Sequence, residues 1–231
     1  MSTPAKPRTV IVCLPADSGL DWLTATTTVA EHTDNPPTMA PVFPVRRGLF
    51  HVLSRFTGRR LLAAVRRRGL VTHAAGGRLR RLNLPQAGQA AWLEATARWA
   101  TWRQVTTGLR PATPWQVYLR RHRQAPDKFS LPEARRAFLA QPAVAAMLAH
   151  NAIPGTRQLD PHELDAYQAG QRAYATCYML AATCGQAMIT TDGAWLQPDS
   201  DSFTDQLAYL RQAAAHLHQL PRSATIVALT T

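Results

Sequence analysis

Two short, β-branched apolar runs stand at opposite ends of this chain, TVIVCL at 9–14 and SATIVALTT at 223–231. The first is ended by Pro15 and reads as a buried strand. The second has the same character. Backbone donors and acceptors of a buried strand must find a ladder, so two lone strands predict a pair. Their pairing brings the ends together around whatever lies between.

What lies between is helical in pattern. Helices are expected over 46–56, 58–68, 86–107, 114–123, 131–140, 142–150, 161–188 and 202–219. Several carry start signals. Thr113-Pro114 places a cap before a first-turn proline, and Asp160-Pro161 repeats the arrangement with Glu163 as first-turn acid. Ser130-Leu-Pro-Glu133 is a capping box. Gly69, Gly76-Gly77, Pro111, Pro126, Pro154-Gly155 and Pro198 are breaks, and NPPTMAPVFP at 35–44 reads as a loop or linker. The expected class is mainly α with a small β component, its short strands near both termini. Trp92, Trp99 and Trp102 share one helix face, as core or a dimer seam would require. Tyr167, Tyr174, Tyr178, Met179 and Met188 supply the same choice, seam or core, further on.

Hydrophobic residues make up 46% of the chain, enough for a core. No apolar run reaches the roughly 18 residues of a membrane span, and the N-terminal stretch lacks a secretory layout. Cys13, Cys177 and Cys184 form no disulfide framework and read as small buried hydrophobes. The expected compartment is the cytoplasm, and neither a cofactor nor a metal site is expected.

The formal net charge is +12 and it is segregated. Residues 46–136 hold 20 of the 26 basic residues and only Glu94, Asp127 and Glu133, while both flanks are mildly acidic. All but Lys6 and Lys128 of the basic residues are arginine, which reflects a GC-rich coding bias as much as recognition. Segregation is not a product of that bias. A basic middle between acidic flanks is the footprint of a polyanion-binding module.

The densest part is LLAAVRRRGLVTHAAGGRLRRLNL at 61–84. As a helix capped by Thr57, residues 57–68 place Leu61, Leu62 and Val65 in one stripe, with Arg59, Ala63, Arg66 and Arg67 opposite and Arg60 and Arg68 on the flanks. Gly69 ends such a helix. LVTH then reads as a strand, AAGG as a turn and RLRRLNL as a returning strand, giving a hairpin that carries His73, Arg78, Arg80 and Arg81. Pro85 opens the next helix.

The stretch AAVRRRGLVTHAAGGRLRRLNLPQAGQAAWLEA, residues 63–95, resembles the second half of a winged helix-turn-helix domain, and is most similar to regulators of the multiple-antibiotic-resistance type. Arg67-Arg68-Gly69-Leu70-Val71 stands where that family's recognition helix ends, Leu82-Asn83-Leu84 on the returning wing strand, and Gly88 at the start of the next helix. The resemblance implies that Arg59, Arg60 and Arg66 face the major groove and that Arg78, Arg80 and Arg81 act as wing contacts. It also implies dimers on paired half-sites. The resulting division is a strand and linker over 1–44, a basic winged-helix-like module over 45–108, and a helical domain over 109–231 with a dimerisation or core role.

The expected function is therefore duplex DNA binding by a transcriptional regulator, through Arg59, Arg60, Arg66, Arg67, Arg68, His73, Arg78, Arg80 and Arg81. The alternatives are an enzyme acting on nucleic acid and an RNA-binding or protein-interaction scaffold. Chemistry is thinly represented: there is no phosphate-cradling glycine loop, and His51, His73, His122, His150 and His162 are scattered without an assignable carboxylate. Asp17-Ser18-Gly19 after the first strand reads as a turn. Few aromatics lie on strands, which weighs against RNA stacking.

Overall fold

A computed structural model of the protein describes residues 8–15, 22–33, 35–46 and 61–231. In chain order the strands are β1 (Thr9–Leu14), β2 (Thr38–Met39), β3 (Phe43–Pro44), β4 (Leu61–Leu62), β5 (Val65–Arg67), β6 (Leu70–Ala74), β7 (Gly76–Arg78), β8 (Ala187–Ile189), β9 (Trp195–Leu196) and β10 (Thr225–Thr230). The helices are α1 (Trp22–Ala30), α2 (Leu84–Val105), α3 (Trp115–Gln124), α4 (Leu131–Leu139), α5 (Pro142–Asn151), α6 (Leu164–Gln168), α7 (Gln171–Cys184) and α8 (Phe203–Gln219), with 3₁₀ turns at Leu79–Arg81 and Pro161–Glu163. The helix expected over 46–56, the start of that over 58–68 with Arg59 and Arg60, and the Asp17-Ser18-Gly19 turn lie outside the described residues.

The fold is α/β, about 50% helical and 18% strand, with a mixed seven-stranded sheet and a separate three-stranded one. This corrects the mainly α expectation. Seven of the ten strands are two or three residues long, too short to show a period of two. The chain divides into two compact units: residues up to Ala90 with Met179–Asp199 and Leu207–Thr231, and Ala91–Tyr178 with Ser200–Gln206.

In the first unit the terminal strands pair as anticipated. β1 and β10 run antiparallel from Thr9 opposite Thr230 to Leu14 opposite Thr225. The sheet order is β4-β7-β10-β1-β8-β9. The free edge of β10 takes β7 at Thr225–Val227 and then β2 at Leu229–Thr230. Among the described residues of this sheet only β1 and β8 pair in parallel. On one face Val10, Val12, Leu14, Ile189, Val227 and Leu229 bury against Ala25 and Val29 of α1. Their alternates Ile11, Cys13, Met188, Ile226 and Ala228 are buried too. Burial on both faces explains why 9–14 is an unbroken apolar run rather than an alternating one.

Three local readings are corrected here. The 35–44 segment is no linker, since it supplies β2 and β3, and Phe43 is fully buried. AAGG is no turn, since Gly76 and Gly77 form β7, flush against both β10 and β4. A Cβ on Gly76 would collide with the Ile226 carbonyl oxygen. α1 carried no helical signal because WLTATTTVA is rich in threonine. Its hydroxyls fold back, Thr26 and Thr27 donating to Leu23 O at 2.9 Å and Thr28 to Thr24 O at 2.8 Å.

The second unit is helical. The capping box holds as read: Ser130 N and Oγ both donate to Glu133 Oε2 at 2.8 Å, and Glu133 N donates back to Ser130 Oγ. At Thr113-Pro114 the proline itself occupies the cap position, without a side-chain bond. The single helix expected over 161–188 breaks into a 3₁₀ turn, α6, α7 and β8. Asp160 caps the 3₁₀ turn by accepting from His162 N at 2.9 Å. Glu163 stands in that first turn as read, and it also accepts from Tyr174 OH at 2.9 Å and Tyr178 OH at 2.5 Å. Trp99 Nε1 donates to Tyr167 O at 2.9 Å, and the Trp102, Tyr167 and Tyr174 rings stack in sequence at 5.3 and 4.7 Å. These aromatics form the core of the unit.

Candidate nucleic-acid interface

Residues 61–68 are not a helix. Leu61 and Leu62 form β4 against Gly77 and Gly76, Ala63 turns the chain with φ +44°, and Val65–Arg67 form β5. The apolar stripe is divided accordingly: Leu61 and Leu62 are buried, whereas Val65 is 40% exposed. β5 pairs with β6, Arg66 opposite Val71 and Arg67 opposite Leu70, with a register shift between Val65 and Arg66. The connection is the two-residue turn Arg68-Gly69, with φ +50° and +79°. Positive φ at both central positions is the turn whose twist matches paired strands. A glycine in this conformation ends helices as readily as it turns hairpins, so Gly69 alone did not distinguish the two.

The hairpin is therefore real but displaced by one strand from the expected wing. It carries Arg66, Arg67, Arg68 and His73, all exposed. Arg66 Nη1 donates across the turn to Gly69 O at 3.4 Å. Arg68 is a non-glycine residue in the left-handed region, as is Ala63, and the two bracket the arginine strand. Such conformations cost of order 1–3 kcal/mol each and cluster at functional sites.

Arg78, Arg80 and Arg81 are not on this hairpin. Arg78 ends β7 opposite Thr225, and Arg80 and Arg81 lie in the 3₁₀ turn. They meet other arginines there. The Arg80 amide donates to Arg222 O at 3.0 Å, the Arg46 amide to Arg81 O at 2.8 Å, and Arg46 Nε to Leu82 O at 3.0 Å. Arg46 and Arg222 are thus members that sequence reasoning missed, and nothing local marks Arg222, which belongs to the net-acidic end of the chain. Arg46, Arg80 and Arg222 are exposed.

One segment joins the cluster to the hairpin. β3 pairs with β6, Pro44 opposite His73, and the Val45 amide donates to Thr72 O at 3.0 Å. Val45 also bridges to Leu82, and the Asn83 amide donates to Pro44 O at 2.7 Å. The 43–46 segment therefore lies between β6 and residues 81–83, two strand spacings or about 10 Å across.

The electrostatics are one-sided. Between Asp34 and Glu94 the sequence holds eleven arginines and no carboxylate. Among the described residues the ion pairs are Arg98–Glu94 at 3.6 Å and Arg157–Glu94 at 3.1 Å. Arg46, Arg66, Arg67, Arg68, Arg78, Arg80 and Arg222 pair with no described acid. Among the described residues no carboxylate forms an ion pair with them that would lower the potential of the surface.

Elsewhere the described residues offer little for catalysis. No three His, Cys, Asp or Glu side chains gather as a metal would need. All three cysteines are buried. Burial pushes the Cys13 and Cys177 thiols up to about 12 and that of Cys184 to about 11, far from nucleophilic poise. No described helix is long and apolar enough to cross a membrane. No family model, no curated protein and no solved structure matches the chain.

Proposed function

We propose that this protein binds duplex DNA, with the β5–β6 tip entering a groove and Arg46, Arg78, Arg80 and Arg222 on the flanking phosphates. The observation that carries the reading is the run of three consecutive exposed arginines at the two-stranded tip of a three-stranded sheet, beyond the β3 pairing at Ala74 and His73, with no described acid paired to them. A two-stranded β-ribbon fits the major groove, about 12 Å wide, and arginine is drawn into a narrow minor groove. Phosphate neutralisation and counterion release drive such binding, and guanidinium forks at the tip supply base readout. Control of transcription is the use proposed for this contact, without support from the winged helix-turn-helix resemblance, whose recognition helix is replaced here by β4, the turn at Ala63 and β5.

The test is a fluorescence anisotropy titration with a labelled duplex of about two helical turns. Arg66→Ala combined with Arg67→Ala weakens binding about tenfold or more at moderate salt, a change of ~1.4 kcal/mol. Single-stranded DNA and RNA of the same length compete more weakly than duplex. Unchanged affinity in the double variant removes the hairpin from the interface.

A further inference from the structure

We propose that α3, the loop after it and α4 form a second nucleic-acid contact, which grips phosphate independently of the hairpin. It deepens the reading above, yet stands on residues that reading does not use.

The two helices share a design. In α3, Trp115, Tyr118, Leu119 and His122 are half-buried, while Val117, Arg120, Arg121 and Gln124, at i, i+3, i+4 and i+7, are exposed. In α4, Ala134 and Phe138 are buried, while Pro132, Arg135, Arg136 and Leu139 repeat the same exposed spacing. The inward sides lock together. Phe138 packs edge-on against Trp115 at 5.5 Å and Tyr118 at 6.1 Å, and His122 Nδ1 donates to Phe129 O at 2.8 Å. Each outward stripe thus has a pair of arginines at its centre, and Arg123 and Lys128 add two further exposed cations.

Little offsets these six charges. Residues 115–139 contain two acids, Asp127 and Glu133. The Glu133 carboxylate accepts from the Ser130 amide and hydroxyl, and these bonds, with the nearby Arg136 charge, hold its pKa below the ordinary value. It therefore stays ionised, and 115–139 keeps an excess of four positive charges. None of the six cations forms an ion pair with a described residue. Adjacent like charges on a helix repel. A fold that keeps six of them exposed on two helices and the loop between, with no close ion pair among the described residues and an excess of four positive charges, is suited to a polyanion.

Arg121 is also held in place. Its Cζ lies 4.4 Å from the centre of the Phe129 ring, which itself stacks on Tyr118 at 6.5 Å. A guanidinium lying on a ring face keeps its N–H edge free for the two oxygens of a phosphate and gives up less side-chain freedom on binding. The partner is nucleic acid rather than lipid. A helix lying in a membrane interface needs its apolar face free, and here that face is occupied by Trp115, Tyr118 and Phe138.

The test uses the full chain carrying Arg120→Gln, Arg121→Gln, Arg135→Gln and Arg136→Gln, since glutamine preserves helix propensity. Duplex affinity falls about tenfold or more with the hairpin intact, and the slope of log affinity against log salt becomes shallower by about 3.6, or ~0.9 per lost contact. Wild-type affinity and slope in this variant overturn the proposal and leave the hairpin reading standing. Loss here with no effect of the hairpin substitutions overturns the hairpin reading instead. Loss of binding to phosphatidylserine vesicles, with duplex affinity unchanged, assigns the surface to lipid and overturns the proposal. Phenylglyoxal modification of the wild-type protein gives a check that no folding defect can confuse. Duplex DNA protects Arg120, Arg121, Arg135 and Arg136 if the surface is used, and leaves them reactive if it is not.

Discussion

The amide of Arg80 donates to the carbonyl of Arg222 at 3.0 Å. Through that bond and the pairing of Arg78 with Thr225, the last turn before β10 brings a cation from the acidic end of the sequence into the arginine cluster. The cluster is thus a product of strand pairing. Backbone hydrogen bonds fix where its side chains start, and the lack of a paired acid among the described residues leaves the field around them positive.

Salt dependence follows from the count of guanidiniums in the proposed complex. Arg46, Arg78, Arg80 and Arg222 on the flanking phosphates, with Arg66, Arg67 and Arg68 meeting phosphate where the tip crosses the groove edge, would give about seven contacts and a slope of about −6 for log affinity against log salt. Replacing Arg66, Arg67 and Arg68 together with serine makes the slope shallower by about 2.7. A titration series across salt concentration measures both, and a slope that the triple substitution leaves alone contradicts the assignment.

The hairpin turn sets stability against binding. Arg68 holds φ +50°, a conformation that costs about 1–2 kcal/mol for most residues and less for asparagine. Arg68→Asn creates an Asn-Gly turn, the favoured pair for this geometry. The expected outcome is a higher Tm together with weaker duplex binding. A variant that gains stability and binds as before shows that Arg68 makes no contact.

Gly76 is a packing requirement. Its backbone lies so close to β10 that a Cβ would meet the Ile226 carbonyl oxygen, in a strand whose neighbours are all buried. Gly76→Ala forces the central pairing apart and costs about 2 kcal/mol. Urea unfolding checks it, and a midpoint equal to that of wild type refutes the close approach.

Alkaline pH weakens the fold. Burial raises the Cys13 and Cys177 thiols to about 12 and Cys184 to about 11, from an ordinary 9.0. The neutral thiol is the folded form, so this contribution is complete below pH 9. Above it the unfolded chain loses protons first, and stability declines as pH rises toward the folded values. The Tyr167 phenol, also pushed to about 12 by burial, acts in the same direction. Urea midpoints are level from pH 7 to pH 9 and fall beyond; a level profile through pH 11 contradicts the burial of these groups.

Part of the fold could be read in advance because helix bonds are local. α2, α3, α4, α5 and α8 lie within two residues of their expected limits, each on an apolar period or a cap contained in its own stretch. The Ser130 box works as written for the same reason. α1 escaped because its threonine hydroxyls satisfy carbonyls in a way that no apolar period announces. At the proposed interface the residues were legible and their arrangement was not. Arg66, Arg67 and Arg68 were placed on a helix, whereas Arg66 and Arg67 end a strand and Arg68 opens the turn after it, because the glycine that follows them serves both ends equally well.

The chain alone announced a strand-like run near each end, at 9–14 and 223–231, and pointed to their pairing, while the antiparallel direction and the register came from the structure. It also settled the excess of positive charge in its middle, which is a matter of counting. The tertiary structure alone decided that Leu61–Leu62 and Gly76–Arg78 are strands and that Arg46 and Arg222 stand beside Arg80 and Arg81. A two-residue strand exists only through partners elsewhere in the chain, and a ladder assembled from such segments leaves no periodic trace in any one of them.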